Sequence, residues 1–138
     1  MLLPIWNRIL PVILVSLMSL PDYDTRASMF GIAPPSIVLP LMHDVRTVVL
    51  DVRTTDEIVS NGKLENVPHW VHFSMSSLDA PGLESNPEKI VGTDKDAPVV
   101  IYCGSGKRAN KAREILMSNG YTNVVNAGAF GDITYLNK

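Results

Sequence analysis

The sequence predicts a single α/β domain, with a mainly parallel central sheet flanked by helices on both faces. Three observations lead there. Short apolar runs, residues 48–52 and 98–102 above all, lack the polar alternation of a one-sided strand and read as strands buried on both faces. Helix signals separate these runs, and strands alternating with helices imply parallel pairing through crossovers. The 138 residues suit one domain, and 46% hydrophobic with 19% charged residues is the composition of a chain with a core.

Taken in order, residues 1–30 stand apart. The first twenty carry one charge, Arg8, and the apolar core from Ile9 to Leu20 is about half the roughly 20 residues that a membrane-spanning helix needs. Pro4 and Pro11 fall in the same stretch. This layout is that of a targeting segment, organellar (mitochondrial) or for export to the periplasm, and it predicts no stable membrane span in the mature domain. Residues 31–47, with Pro34-Pro35 and Pro40, read as a linker or variable lead-in, so the domain proper is 48–138.

Residues 48–52 (Val-Val-Leu-Asp-Val) form the first expected strand. Thr54 and Glu57 have capping-box spacing and start a short helix, which Asn61-Gly62 stops. Val71-His72-Phe73 is a second strand after Pro68. Asn86-Pro87-Glu88 opens another short helix, with proline at the first helical position and acid in the first turn. Residues 98–102 are the strongest strand and run directly into Cys103. A helix then continues to Asn119, with Ala109, Ala112, Ile115 and Leu116 on one face and Gly120 at its end. Residues 123–126 make a further strand.

Charge and cysteine content narrow the function. With 12 Lys+Arg against 14 Asp+Glu the net charge is −2, so no global basic field calls for nucleic acid or an anionic membrane. One cysteine excludes an intramolecular disulfide framework and a Cys-rich metal site. That cysteine, Cys103, sits at the carboxyl end of a buried strand, in a glycine-rich turn, at a helix N-terminus. Ligands of open parallel sheets bind at that end. Successive amides of Gly104, Ser105, Gly106, Lys107 and Arg108 are expected to form an anion-binding nest. The helix end and the two cations favour a thiolate. Between residues 104 and 131 there are four basic residues (Lys107, Arg108, Lys111, Arg113) and one acid, Glu114, so the site expects an anion.

Spacing separates the chemistries. A phosphate-binding loop of the Gly-x4-Gly-Lys type needs glycine five positions before Gly106, where Ile101 stands. A cysteine-phosphatase loop separates Cys and Arg by five residues, whereas only four lie between Cys103 and Arg108. The smaller loop suits a single sulfur atom.

Cys103-Gly104-Ser105-Gly106-Lys107-Arg108-Ala109 after its strand resembles the active-site loop of the rhodanese (thiosulfate sulfurtransferase) family, in its small single-domain form. Asp51-Val52-Arg53 matches that family's strand-ending Asp-Val-Arg, and Asn126 to Ile133 resembles its closing segment. Two places depart from the pattern: Glu65-Asn66 stands where the family has Gly-His before its proline, and His69-Trp70 where it has Gly-Ala.

The resemblance implies a rhodanese-like fold and an enzyme whose Cys103 accepts a sulfane sulfur from thiosulfate or a similar small anionic donor. A thiophilic acceptor, cyanide or a thiol, then takes it from the persulfide. The amides of Gly104 to Arg108 hold that persulfide, Lys107 and Arg108 draw in the donor, and Asp51 and Arg53 give structural support. No metal or organic cofactor is expected. Two other readings stay open: a non-catalytic binding or redox-sensing module of the same fold, and a cysteine phosphatase or arsenate reductase. His43, His69 and His72 are read as structural, since no spacing places them beside Cys103.

Overall fold

The computed structural model describes residues 21–137. Its centre is a sheet of four parallel strands: β1 (Val48–Asp51), β2 (Trp70–His72), β3 (Val99–Cys103) and β4 (Val124–Ala129), ordered β2-β1-β3-β4. The helices are α1 (Tyr23–Phe30), α2 (Pro35–Leu41), α3 (Thr55–Asn61), α4 (Pro81–Ser85), α5 (Pro87–Val91) and α6 (Lys107–Ser118). Two single 3-10 turns, Phe130–Asp132 and Thr134–Leu136, follow β4. The expected α/β architecture is the one observed.

Strand alternation divides the core in two. Every residue of β3 is buried. Val99, Ile101 and Cys103 face one layer, where they meet Ala109, Ala112, Ile115 and Leu116 of α6, Leu83 of α4 and Val91 of α5. Val100 and Tyr102 face the other, with Val38 of α2 and with Ile133 and Leu136. A central parallel strand is covered on both sides, so its sequence is apolar throughout rather than alternating.

Local signals explain most boundaries. Thr54 caps α3 by accepting from the Glu57 amide, while Glu57 Oε1 accepts from the Thr54 amide at 3.1 Å. Gly120, at φ +90°, lets the chain leave α6. Pro87 begins α5 as its spacing predicts, whereas the five-residue α4, with Pro81 and Glu84 in its first turn, buries only Leu83.

The lead-in differs from expectation. Residues 21–47 are folded onto the sheet as α1 and α2. Asp22 caps α1 by accepting from the Thr25 amide at 2.8 Å, and Gly31 ends the helix in the left-handed region. The Pro34-Pro35 pair starts a helix instead of breaking one, because proline at the first helical position gives up an amide that has no partner there anyway. Ile32 then forms a parallel bridge to Asn126, and the Ala33 amide donates to the Asn126 carbonyl at 2.7 Å. The apolar segment 1–20 lies outside the described residues. Among the described residues, no helix is long and apolar enough to cross a membrane.

β4 also runs further than its sequence suggests. Its pairing with β3 shifts between Ile101 and Tyr102, so Tyr102 pairs with Gly128 and Ala127 is the extra residue of a bulge. The small residues Ala127-Gly128-Ala129 read as a turn but extend the strand beside Cys103.

Candidate active site

Cys103 is the last residue of β3, and Lys107 is the first of α6, so residues 104–106 make the whole connection. So short a turn needs a left-handed residue, and Gly106 supplies it with φ +100°. The Gly106 amide, in the peptide plane just before it, points at Cys103 Sγ, 3.0 Å away. A Cβ at Gly106 would stand 2.9 Å from Ile32 Cδ1, so a side chain there would also have to push the end of Ile32 aside. The side chain of Asn126 fixes the turn from beneath, its Nδ2 donating to the Gly106 carbonyl at 2.8 Å and to the Phe30 carbonyl at 3.0 Å. The first-turn amides of α6 have no intrahelical acceptor and lie at the positive end of the helix.

Cys103 has no exposed surface. It sits within the apolar cluster on the α6 side of the sheet, with the Gly106 amide on its sulfur. Solvent meets the outer side of the loop instead, since Gly104 is exposed and Ser105 half-buried.

The two expected cations part company. Lys107 is exposed, and among the described residues no carboxylate lies within ion-pair distance of it. Arg108 is engaged: its Nη1 and Nη2 reach the two oxygens of Glu57 at 2.7 and 2.8 Å, and Nη1 also donates to the Met75 carbonyl at 2.8 Å. The fork holds the Glu57 carboxyl at about 2, against an ordinary 4.5. In return the Glu57 carboxylate raises Arg108, burial opposes that rise, and the nearby Cys103 sulfur adds to it. Arg108 therefore ties the loop to α3 and to Met75, and its charge is shared rather than free to draw in a donor as the sequence suggested.

Asp51 and Arg53 are fully buried on the opposite face of the sheet. Arg53 Nη2 donates to Asp51 Oδ2 and to the Gly62 carbonyl, each at 2.8 Å. Tyr102 donates its hydroxyl to Asp51 Oδ2 at 2.7 Å and accepts from Trp70 Nε1 at 2.8 Å. Burial pushes the Tyr102 phenol well above its ordinary value, so it stays a neutral donor. Phe130 closes this network, its ring stacked on Tyr102 and lying 4.1 Å from the Arg53 guanidinium carbon. These residues brace the ends of β1 and β3 without meeting the sulfur. The histidines stay away from it too: His43 and His69 are exposed, and His72 Nε2 lies 2.7 Å from the Arg53 carbonyl.

Two residues join the site that sequence reasoning assigned elsewhere. Arg26 of α1 makes a two-pronged ion pair with Asp132 at 2.6 and 2.9 Å, and its Nη1 also donates to the Ser105 carbonyl at 3.0 Å. Asp132 in turn accepts from the Ala129 amide at 2.8 Å. Burial would raise the Asp132 carboxyl, but Arg26 and the Ala129 amide together outweigh it and hold the group below its ordinary value. A cleft of about 350 Å³ opens here, lined by Pro21, Arg26, Gly104, Ser105, Gly131 and Asp132 among others. Arg26 read as part of the targeting segment. Nothing local links it to a carboxylate 106 positions away.

The comparisons with known proteins agree with this fold. A family model described as a rhodanese-like domain matches residues 35–128, a span that omits both Arg26 and Asp132. The thiosulfate:glutathione sulfurtransferase of Saccharomyces cerevisiae is 37% identical over 86 residues, 59% of each chain. The thiosulfate sulfurtransferase PspE of Escherichia coli is 48% identical over 40 residues, 29% of this chain and 38% of that one. The chain thus spans less than two thirds of the length of the curated relatives it matches. The polysulfide-sulfur transferase homodimer of Wolinella succinogenes has the same fold, with a TM-score of 0.59 at 24% identity over 81% of this chain and 80% of that one. With its model match across residues 35–128, its four parallel strands and its cysteine at the end of β3, the chain belongs to the rhodanese-like domain family.

Proposed function

We propose that this chain is a thiosulfate sulfurtransferase working through a persulfide on Cys103. The observation that carries the reading is the Gly106 amide 3.0 Å from Cys103 Sγ at the end of β3, beside a helix N-terminus. The names of the yeast and Escherichia coli relatives support it. In the first half-reaction the Cys103 thiolate attacks the outer sulfur of thiosulfate. A new S–S bond forms at Cys103, and the sulfur–sulfur bond of the donor breaks with its electron pair leaving on sulfite. In the second, cyanide or a thiolate attacks the outer persulfide sulfur. It departs as thiocyanate or as an alkyl persulfide, and the Cys103 thiolate returns.

Backbone groups carry most of the stabilisation. The Gly106 amide replaces water that would otherwise solvate the sulfur anion, and the turn around it is fixed in advance by Asn126, which holds the Gly106 carbonyl, while Arg108 restrains the loop's flank. Lys107 supplies the free positive charge that attracts the dianionic donor. Cys103 is covered in this conformation and Gly104 is exposed, so the donor approaches the sulfur from the Gly104 side of the loop.

The test is a thiosulfate:cyanide assay on the full chain beside Cys103→Ser. The wild type is expected to form thiocyanate and the variant to show only the uncatalysed rate. Equal rates in the two overturn the reading.

A further inference from the structure

We infer that Arg26 is a positioning residue for the Cys103 loop, acting from α1 through the carbonyl of Ser105; this rests on the sulfurtransferase reading above. The arrangement is built rather than incidental. Arg26 is buried, and a guanidinium has five N–H groups, four of which have partners here: Pro21 carbonyl through Nε, Ser105 carbonyl and Asp132 Oδ2 through Nη1, and Asp132 Oδ1 through Nη2. Its charge is satisfied by Asp132, so it is not a receptor for the donor. Asp132 in turn is anchored to the end of β4 through the Ala129 amide, and Ala129 pairs with Cys103 itself.

The carbonyl that Arg26 holds is the one of the peptide unit joining Ser105 to Gly106. The amide of that same unit is the Gly106 N–H that points at Cys103 Sγ. A peptide unit is planar, so gripping its oxygen sets the direction of its N–H. Two opposed contacts, guanidinium on the oxygen and sulfur on the hydrogen, therefore fix one rigid plate. A charged donor on the carbonyl also polarises the unit and strengthens the bond its N–H makes. Glu57 and Arg108 restrain the other flank of the loop, so Arg26 completes a two-sided hold.

The role is distinct from donor binding, and kinetics separates the two. Arg26→Ala and Arg26→Lys in the full chain are compared with wild type for single-turnover sulfur loading by thiosulfate, for exchange of the Gly106 amide by NMR, and for urea unfolding. The account expects Arg26→Ala to slow loading at saturating thiosulfate by about tenfold or more, the scale of one charge-assisted hydrogen bond. The half-saturating thiosulfate concentration should stay within about twofold. Gly106 amide exchange should quicken by about tenfold, and Arg26→Lys should recover part of both effects. A brace that only stabilises the fold would shift the urea midpoint and leave loading per folded molecule and Gly106 exchange as in wild type; that result overturns the assignment. A loss confined to half-saturation overturns it as well, because it makes Arg26 a donor ligand. If Arg26→Ala does not fold, Arg26→Lys carries the same comparisons at reduced size. If the wild type takes up no sulfur, the sulfurtransferase reading has failed, and Gly106 exchange alone still decides whether Arg26 fixes the loop.

Discussion

Side chains one position apart in the loop do different work. Lys107 is exposed and free of carboxylates among the described residues, while Arg108 is consumed by Glu57 and the Met75 carbonyl. Lys107→Ala is therefore expected to raise the KM for thiosulfate by roughly three- to tenfold with little change in kcat, in initial-rate assays, because it removes attraction felt equally by the bound donor and the transition state. The effect should fade as salt screens an exposed charge. Tyr102 gives the opposite pattern, since its hydroxyl bridges Trp70 and Asp51 on the face away from the sulfur. Tyr102→Phe should lower stability by about 1–2 kcal/mol in urea unfolding, the cost of leaving buried partners unpaired. Sulfur loading per folded molecule should not change. Cys103, Lys107 and the Asp51–Arg53 pair stand out in the sequence because the features that mark them are local: a strand end, a glycine turn, two residues two positions apart. The pairing of Arg108 was not legible because the partner that engages it, Glu57, is 51 positions away and also serves as a helix cap.

Elements succeed or fail on the turns that join them. The β3–α6 connection has three residues and one left-handed glycine, so Gly106→Ala meets both backbone strain and the Ile32 side chain at 2.9 Å. The strain alone is worth about 1–2 kcal/mol. The substitution should therefore lower stability by at least that much and slow loading by at least tenfold. Gly62 is the control. It ends α3 with φ +82° and nothing within 4 Å of a would-be Cβ, so Gly62→Ala should cost similar stability while loading stays at the wild-type rate. Most elements were legible because capping boxes, N-terminal prolines and terminal glycines act within one turn. α1 and α2 were not, because their apolar contacts are few: α2 buries only Val38, and α1 is held largely by the buried ion pair of Arg26. The β4 extension was hidden because Ala127, Gly128 and Ala129 have no strand propensity of their own and are held by pairing with β3.

Across the whole molecule, long-range ion pairs stitch the ends of the chain to the loop at its centre, and they set how the fold responds to acid. Glu57 is held at about 2 in the folded protein against an ordinary 4.5. A carboxyl depressed on folding contributes its stabilisation in full above the unfolded value and loses it as pH falls toward the folded one. Urea unfolding between pH 7 and pH 2 should thus show wild type losing stability below about pH 4.5 more steeply than Glu57→Gln, which starts less stable at neutral pH and has less to lose. Parallel slopes would remove the Glu57–Arg108 pair from the account. The fold class was readable because alternating buried strands and helices leave few arrangements, whereas the convergence of residues 26, 57, 105 and 132 exists only once the sheet has formed. The proposed reaction runs through one sulfur atom, so the most direct measurement is the intact mass of the protein after incubation with thiosulfate and removal of excess donor. The account predicts a gain of one sulfur atom located on Cys103, lost again on adding cyanide or a thiol and absent in Cys103→Ser. An unchanged mass, or a sulfur retained in Cys103→Ser, would contradict it.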